Sequence, residues 1–308
     1  MVLRDSEFYE HENESFLTFL YNKHDGTVMG RTGISWLKIG VFYLFFYAFL
    51  ASFFAVMLTI FYQTLDLNNS PTYTPGDGSS LLSHPALGFR PLQRADNIES
   101  TLIWYKNGDE ADVEHWVTSL NDFMAPYENA TNSVDCSDGK PAKEGKFCSF
   151  RTSLLGGTCN KANKWGYMSG SPCVLLKLNK MLGWKPDVYK SLEELPDDMP
   201  SDLKAYITGE KAKNGGRMPK LIWVSCTGEN PADEEYLGEI KYHPWRGFPT
   251  YFFPYRNSLD YRSPVVALEF MGLAPNILIN IECKVWAKNI EHDRSNRVGL
   301  VHFEILKD

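Results

Sequence analysis

The longest apolar segment of the chain lies near its N-terminus. Residues 39–62, IGVFYLFFYAFLASFFAVMLTIFY, contain no charged side chain, and 14 of these 24 residues are Leu, Ile, Phe or Val. A helix of this length extends about 36 Å, which exceeds the roughly 30 Å hydrocarbon core of a bilayer. A buried core helix rarely runs so far without a charge, and a cleaved signal peptide has a shorter apolar region. The pattern therefore predicts a single transmembrane helix.

Basic residues flank this segment unequally. The first one after it is Arg90, whereas three lie within the 20 residues before it: Lys23, Arg31 and Lys38. Because basic residues favour the cytosolic side of a membrane, we expect a type II membrane protein. Its predicted parts are a cytosolic segment (1–38), a signal-anchor helix (39–62) and an extracellular domain (63–308).

Helical spacing divides the predicted span into two faces. At about 100° per residue, small residues and two tyrosines fall within roughly half of the circumference. We call this set the small-residue stripe: Tyr43, Tyr47, Ala48, Ala51, Ser52 and Ala55. The opposite face carries Phe42, Phe46, Phe49 and Phe53. Small residues permit close approach of membrane helices, so we expect the stripe to contact a partner helix and the phenylalanines to contact lipid. The alternative is that the aromatic rings only fill space among lipids.

All six cysteines follow the predicted span. They are Cys136, Cys148, Cys159, Cys173, Cys226 and Cys283. An even number outside the membrane indicates disulfides in an oxidising compartment. A zinc site is disfavoured because the chain has no C-x-x-C motif and no paired histidines. Six cysteines allow 15 pairings, and their spacing does not choose among them.

Alternating apolar residues predict strands in the last third of the chain. Ile279, Ile281, Cys283 and Val285 share one face of a predicted strand, and Cys226 shares the apolar face of an earlier one. We therefore expect a mainly β domain in which Cys226 and Cys283 join the two sheets of a sandwich.

Two further segments have a clear local pattern. Pro, Gly and Ser are frequent in residues 63–95, which predicts an extended stalk. Asp109 can cap a helix that we expect to end at Pro126. Its apolar positions recur at helical spacing: Val113, Trp116, Val117, Leu120 and Met124.

Three N-x-S/T sequons start at Asn13, Asn68 and Asn129. In the predicted topology Asn13 is cytosolic and cannot be glycosylated, and Asn68 lies only six residues beyond the span. Asn129 is therefore the best acceptor, with Asn68 as a second candidate.

The chain lacks the sequence patterns of common catalytic chemistries. It has no G-x-S-x-G, H-E-x-x-H, D-x-D or phosphate-binding glycine motif, and we expect no cofactor, metal or catalytic residue. A net charge of −7 leaves no basic footprint for nucleic acid. The span carries no ionisable residue that could form an ion pathway. A type II extracellular enzyme, which a constellation of acidic residues in a cleft would support, stays the alternative.

Longer stretches of the sequence resemble a known family. They are FLYN at 19–22, GRTGISWLKIGVFYLFFY at 30–47, LLGGTC at 154–159, GYMSGSPCVLLKLNKMLGWKP at 166–186, VSCTGENPADEEYLGEIKYHP at 224–244 and ILINIECKVWAKNI at 277–290. Together they are similar to β-subunits of the sodium/potassium-transporting ATPase, of an invertebrate type. The closely related β-subunits of proton/potassium pumps share most of the pattern.

The resemblance implies a non-catalytic subunit of an ion pump at the plasma membrane. Such a subunit binds the catalytic α-subunit, supports its folding and delivery, and modulates its potassium affinity. The resemblance also implies an immunoglobulin-like sandwich with an added helix, and it places Tyr43 and Tyr47 against the α-subunit. The implied disulfides are Cys136–Cys148, Cys159–Cys173 and Cys226–Cys283. A cell-adhesion or junction protein that acts without a pump stays an alternative.

Overall fold

The computed structural model divides the chain into two compact units, residues 1–65 and 66–308. The residues that it describes are 19–23, 26–65, 85–93, 100–128, 132–143, 145–181, 183–256 and 260–308. Within the first unit, the described residues form three two-residue strands followed by one long helix. These elements are β1 (Tyr21–Asn22), β2 (Thr27–Val28), β3 (Arg31–Thr32) and α1 (Gly33–Thr64).

Helix α1 contains the apolar segment and extends beyond it at both ends. The side chain of Thr32 caps its first turn by accepting a hydrogen bond from the Ser35 amide at 3.4 Å. None of its 32 residues is buried. By length and composition the helix can cross a membrane.

The second unit combines short helices with many strands. Its helices are α2 (Glu110–Glu128), α3 (Ser201–Lys213) and α4 (Pro231–Leu237). Its strands are β4 (Leu87–Arg90), β5 (Leu102–Tyr105), β6 (Ser133–Val134), β7 (Phe147–Cys148), β8 (Cys173–Leu178), β9 (Leu221–Gly228), β10 (Glu239–His243), β11 (Gly247–Pro249), β12 (Val265–Met271), β13 (Leu278–Trp286) and β14 (Leu300–Lys307). Single 3-10 turns occur at Thr152–Leu154, Lys161–Gly166, Leu192–Glu194 and Thr250–Phe252.

Two sheets enclose the main core of this unit. One has four strands in the order β10-β12-β8-β4, and the other has five in the order β11-β9-β13-β14-β5. Neighbouring strands are antiparallel except for β14 and β5, which are parallel. Phe303 of the five-stranded sheet stacks on Phe89 at 5.0 Å and meets the edge of Phe270 at 6.3 Å. Since both partners belong to the four-stranded sheet, the two sheets share one core.

Helix α2 follows its sequence pattern at the start but not at the end. Asp109 accepts hydrogen bonds from the amides of Ala111 at 3.0 Å and Asp112 at 3.4 Å, as expected for a helix cap. The five apolar positions predicted for this helix are all buried. The prediction that Pro126 ends the helix is wrong, because the helix continues to Glu128. A proline inside a helix removes its own N–H bond and its ring crowds the carbonyl four residues earlier, but here just two helical residues follow it.

Helix α3 covers one end of the outer face of the five-stranded sheet. Leu203 and Ile207 of the helix are buried in a second cluster with Trp223 and Trp286 of the sheet. These two tryptophans lie opposite each other on β9 and β13. The indole nitrogen of Trp286 donates to the hydroxyl of Ser225 at 2.8 Å, so the polar edge of its ring is satisfied.

Two predictions about this unit are wrong. Residues 87–90, predicted to belong to a stalk, form strand β4, which pairs with β8. Cys226 and Cys283 do point toward the core, but they lie directly opposite each other on adjacent strands with Cα atoms 4.1 Å apart. Their disulfide is therefore within one sheet and does not join two sheets. Alternation fixes the face of a side chain but does not reveal which strand lies beside it.

Candidate partner-binding surfaces

Aromatic rings are ordered in two columns along α1. The rings of Tyr43 and Tyr47 stack with centroids 5.9 Å apart, and those of Phe42 and Phe46 stack at 6.2 Å. Residues four apart lie on the same helix face, one turn above each other. The tyrosine column is thus one border of the small-residue stripe, and the phenylalanine column belongs to the opposite face.

The hydroxyl groups of Ser52 and Thr59 form hydrogen bonds within the helix itself. Ser52 donates to the carbonyl of Ala48 at 2.8 Å, and Thr59 donates to the carbonyl of Ala55 at 2.8 Å. Such bonds leave no unpaired donor directed at the hydrocarbon. The stripe therefore does not depend on a polar partner for Ser52, and the same arc also carries the larger side chains of Leu44 and Phe54.

The same face includes two small residues outside the predicted set. Counting about 100° per residue from Tyr43 places Gly40 near 60° and Thr59 near 160°, within the arc of the stripe. A Cβ atom added at Gly40 would meet no described atom within 4 Å. Extending the angular count beyond Tyr43 and Ala55 would have found both residues.

The three disulfides have the pairing that the family resemblance implies. They are Cys136–Cys148, Cys159–Cys173 and Cys226–Cys283. The first two close short loops of the second unit, and the third joins two long strands. They stabilise the scaffold on which any binding surface of this unit depends.

One patch of the second unit exposes large apolar side chains on its sheet. Strand register places Trp104 beside Leu306, and Leu306 beside Leu278, in a row across β5, β14 and β13. Trp104 and Leu278 are each 45% exposed. Tyr236 of α4 is 38% exposed, and its backbone carbonyl accepts a hydrogen bond at 3.1 Å from the amide of Ala274, in the turn that leads into β13. We call the residues Trp104, Tyr236, Leu278 and Leu306 the apolar patch.

The apolar patch exists because the helices cover only part of the outer face of the five-stranded sheet. Helix α3 covers the end that carries Trp286. Helix α4 packs on the middle, where the Asp233 carboxylate accepts from the amide of Asn280 at 3.0 Å. Burial raises the pKa of Asp233, but hydrogen bonds from Asn280 and Asn230 outweigh it and hold this pKa below its usual value. Past Asn280, towards the start of β13, the described residues leave Leu278 exposed on the sheet face.

Polar contacts fix the open end of the sheet in place. The indole nitrogen of Trp104 donates to the Asp308 carboxylate at 2.7 Å, which holds the ring against the sheet edge. Lys307 donates to the carbonyl of Leu273, and Asn276 donates to the carbonyl of Lys307 at 2.7 Å. Exposed apolar side chains held in one arrangement are typical of a binding surface.

The buried acids of the second unit have structural partners. Glu269 accepts from the Thr158 amide at 3.0 Å, from its hydroxyl at 2.9 Å and contacts His243 at 2.9 Å. Burial raises its pKa, but these hydrogen bonds outweigh that effect, and the pKa lies below the usual value. Gly157 has a positive φ, and a Cβ atom there would collide with this carboxylate. The cluster thus fixes the Gly-Gly loop.

Other predicted sites are not placed by the structure. Among the residues that it describes, no group of three His, Cys, Asp or Glu side chains could hold a metal ion. The candidate acceptors Asn68 and Asn129 lie outside the described residues, as does Asn13.

These features define a class of membrane protein with one N-terminal candidate transmembrane helix and a disulfide-bonded, mainly β domain. Within this class, the family model described as the sodium/potassium ATPase beta chain matches residues 6–303. The chain belongs to this family, which is a non-catalytic subunit of a P-type ATPase.

Relatives from several animals agree with this assignment. The chain is 43% identical over 304 residues to the sodium/potassium-transporting ATPase subunit beta-2 of Drosophila melanogaster, covering 96% of this chain and 93% of the relative. It is 36% identical to subunit beta-1 of the same fly, covering 96% and 94%. Identity to subunit beta-2 of Homo sapiens is 26%, covering 95% and 93%.

Proposed function

We propose that this protein is the accessory β-subunit of a sodium/potassium-transporting ATPase and forms a heterodimer with the catalytic α-subunit. The observation that carries the proposal is the family match over residues 6–303, which includes both the membrane helix and the disulfide-bonded domain. The relatives compared above are named for the sodium/potassium pump, which favours that pump over a proton/potassium pump.

The proposed topology places the N-terminus in the cytosol and the second unit outside the cell, at the plasma membrane. Its support is the charge asymmetry around α1, since the basic residues nearest to the apolar segment all precede it. In this orientation the cysteines lie in an oxidising environment, where disulfides persist. Both candidate glycan acceptors, Asn68 and Asn129, are then on the extracellular side.

Within the membrane, we assign the α-subunit contact to the small-residue stripe. The alanines and Ser52 of the stripe let two helix backbones approach closely, and dispersion contacts over several turns then stabilise the pair. The bonds from Ser52 and Thr59 to their own helix support this assignment, because neither hydroxyl has to be matched by a polar group of the partner. The face with Phe42 and Phe46 is assigned to lipid.

Outside the membrane, we assign a second α-subunit contact to the apolar patch. Fully burying a large apolar side chain contributes about 1.5–3 kcal/mol, so the half-exposed Trp104 and Leu278 would each contribute about 1 kcal/mol. The sandwich around them is of an immunoglobulin-like kind in this proposal, supported by the two sheets that share one core. Through both contacts the subunit would support folding and delivery of the α-subunit and modulate its potassium affinity.

A pair of aspartate substitutions tests the assignment of the apolar patch. Leu278→Asp places a charge in the patch, and Lys241→Asp places the same side chain at an exposed strand position on the other sheet. We expect Leu278→Asp to lower recovery of the α-subunit from co-expressing cells by about tenfold, because it would bury an unpaired charge. Lys241→Asp should leave recovery within about twofold of the wild type.

The readout is the ratio of α-subunit to β-subunit after affinity purification in mild detergent. Equal thermal stability of the two variants would show that Leu278→Asp does not simply unfold the domain. Equal recovery with both variants would contradict the assignment of the patch.

A further inference from the structure

Three basic side chains converge beside the last turns of α2. Arg90 ends the edge strand β4, Lys177 lies on the neighbouring strand β8, and Lys180 follows β8 closely. The guanidinium of Arg90 and the ammonium of Lys177 both lie 5.4 Å from the centre of the Phe123 ring. The Lys180 ammonium lies 5.3 Å from the centre of the Tyr255 ring. We call Arg90, Lys177 and Lys180 the basic cluster.

The basic cluster has no carboxylate to neutralise it among the described residues. Ten of the chain's acidic residues take part in described ion pairs with other partners, but none pairs with Arg90, Lys177 or Lys180. The hydrogen bond described for Arg90 goes to a neutral group, the Phe89 carbonyl at 2.7 Å. Aromatic faces attract cations only weakly compared with a full negative charge.

Keeping these charges together has an electrostatic cost. Burial lowers the pKa of Lys177, and the positive charges of Arg90 and Lys180 lower it further. Burial also lowers the pKa of Arg90. A group of like charges, two of them half-buried, that no described carboxylate neutralises is complementary to an anionic ligand.

We propose that the basic cluster binds the sulfate groups of an acidic polysaccharide outside the cell. Sulfate groups accept several hydrogen bonds from guanidinium and ammonium donors. A sulfated polysaccharide carries such groups repeatedly along one chain. It can therefore contact the cations at Phe123 and the cation at Tyr255 together, which a single small anion could not do as well. The rings of Phe123 and Tyr255 attract these cations and so help to position them for the sulfates.

The extracellular location of this ligand rests on the proposed topology, but the binding itself can be measured separately. Full-length tagged protein, purified through its own tag in mild detergent from cells that also express an ATPase α-subunit, is titrated with a fluorescent heparin oligosaccharide. The variant Lys177→Gln/Lys180→Gln removes two charges from the basic cluster. The control Lys161→Gln/Lys220→Gln removes two charges at exposed positions elsewhere in the same unit.

We expect Lys177→Gln/Lys180→Gln to weaken oligosaccharide binding by about tenfold. One surface ion contact accounts for a factor of up to about five, and two contacts are lost. The control variant should stay within about twofold of the wild type. Binding should also weaken steeply between about 50 and 300 mM salt, since screening shortens the range of the interaction.

Competing ligands distinguish the chemical sources of the anion. Inorganic sulfate should compete only at millimolar concentration, and neither vesicles containing phosphatidylserine nor polyglutamate should match the oligosaccharide. Tighter binding to the vesicles or to polyglutamate would overturn the proposal in favour of a lipid or an acidic protein. Equal binding by the basic-cluster variant and the control would overturn it as well.

A second variant tests whether the chain neutralises its own basic cluster. Asp96→Asn/Glu99→Gln removes the acidic residues that follow Arg90 in the sequence. If the oligosaccharide binds only after this change, the cluster belongs to an internal ion pair and the proposal is wrong. Recovery of the α-subunit is measured on the same samples, so a failure of saccharide binding and a failure of the proposed pump assembly are separate results.

Discussion

Removal of the Cys226–Cys283 disulfide should destabilise the second unit more than removal of either short disulfide. The two cysteines are 57 residues apart, against 12 for Cys136–Cys148 and 14 for Cys159–Cys173. In terms of chain entropy, cross-linking lowers the entropy of the unfolded chain by an amount that grows with the logarithm of the loop length. This relation gives about 4 kcal/mol for the long loop and about 3 kcal/mol for each short one.

The structure indicates that the native sheet should persist without this bridge. Val224 lies opposite Val285, and Ile281 opposite Gly228, on either side of the cysteine pair, so strand pairing continues past it. Alanine is the better replacement, because a serine hydroxyl at the fully buried Cys283 would lack a partner at a cost of about 1–3 kcal/mol. Cys226→Ala/Cys283→Ala should therefore lower the free energy of unfolding mainly by raising the entropy of the unfolded chain.

The assay is thermal unfolding of the full-length protein in detergent, together with delivery to the cell surface. For a unit of about 150–250 residues, about 1 kcal/mol corresponds to about 2–4 °C. We expect the melting temperature to fall by about 8–16 °C for Cys226→Ala/Cys283→Ala and by less for Cys136→Ala/Cys148→Ala. A larger fall for the short-loop variant, with normal surface delivery of the long-loop variant, would refute the reasoning.

Three further predictions concern the membrane helix, pH and glycosylation. Ala51→Leu should perturb apparent potassium affinity in cells that express both subunits, because overpacking costs about 1–3 kcal/mol. The control Phe49→Leu, on the opposite face, should leave this affinity unchanged. The reverse result would show that the two faces are misassigned. Because the pKa of Glu269 is lowered in the folded protein, its contribution to stability is present above the unfolded-state pKa, about 4.3, and is lost as the pH falls through the folded-state value. The melting temperature of Glu269→Gln should therefore lie below that of the wild type at neutral pH and approach it in acid, and a constant difference would contradict this. Asn129→Gln should remove part of the mass shift seen on enzymatic deglycosylation, and an unchanged shift would show that this site is unoccupied.

Periodicity in the sequence predicts the elements of this fold better than their arrangement. Helix α2 and strand β13 follow from residues at spacings of about 3.6 and 2, because each buries one regular face. The continuation of α2 past Pro126 does not follow from local preference, because packing of the helix against the sheets can outweigh one lost hydrogen bond. Strand β4 escapes prediction because it is short and follows a segment rich in turn residues.

The two candidate binding surfaces also differ in how far the sequence alone predicts them. The small-residue stripe lies on one helix, so counting residues locates it, and the same count would have added Gly40 and Thr59. The apolar patch includes residues 202 positions apart, Trp104 and Leu306, which only the register of β5 and β14 brings together. No local pattern marks Trp104 as exposed, because exposure depends on where the covering helices stop.

The central claim is that this protein forms a heterodimer with the catalytic subunit of a sodium/potassium pump. Its most direct test is blue-native electrophoresis of membranes from cells that express tagged full-length protein, solubilised in mild detergent. We expect a band that contains the tagged protein and an ATPase α-subunit in equal amounts, with potassium-dependent ATPase activity. Migration of the tagged protein without any ATPase subunit, although folded and delivered to the plasma membrane, would contradict the claim.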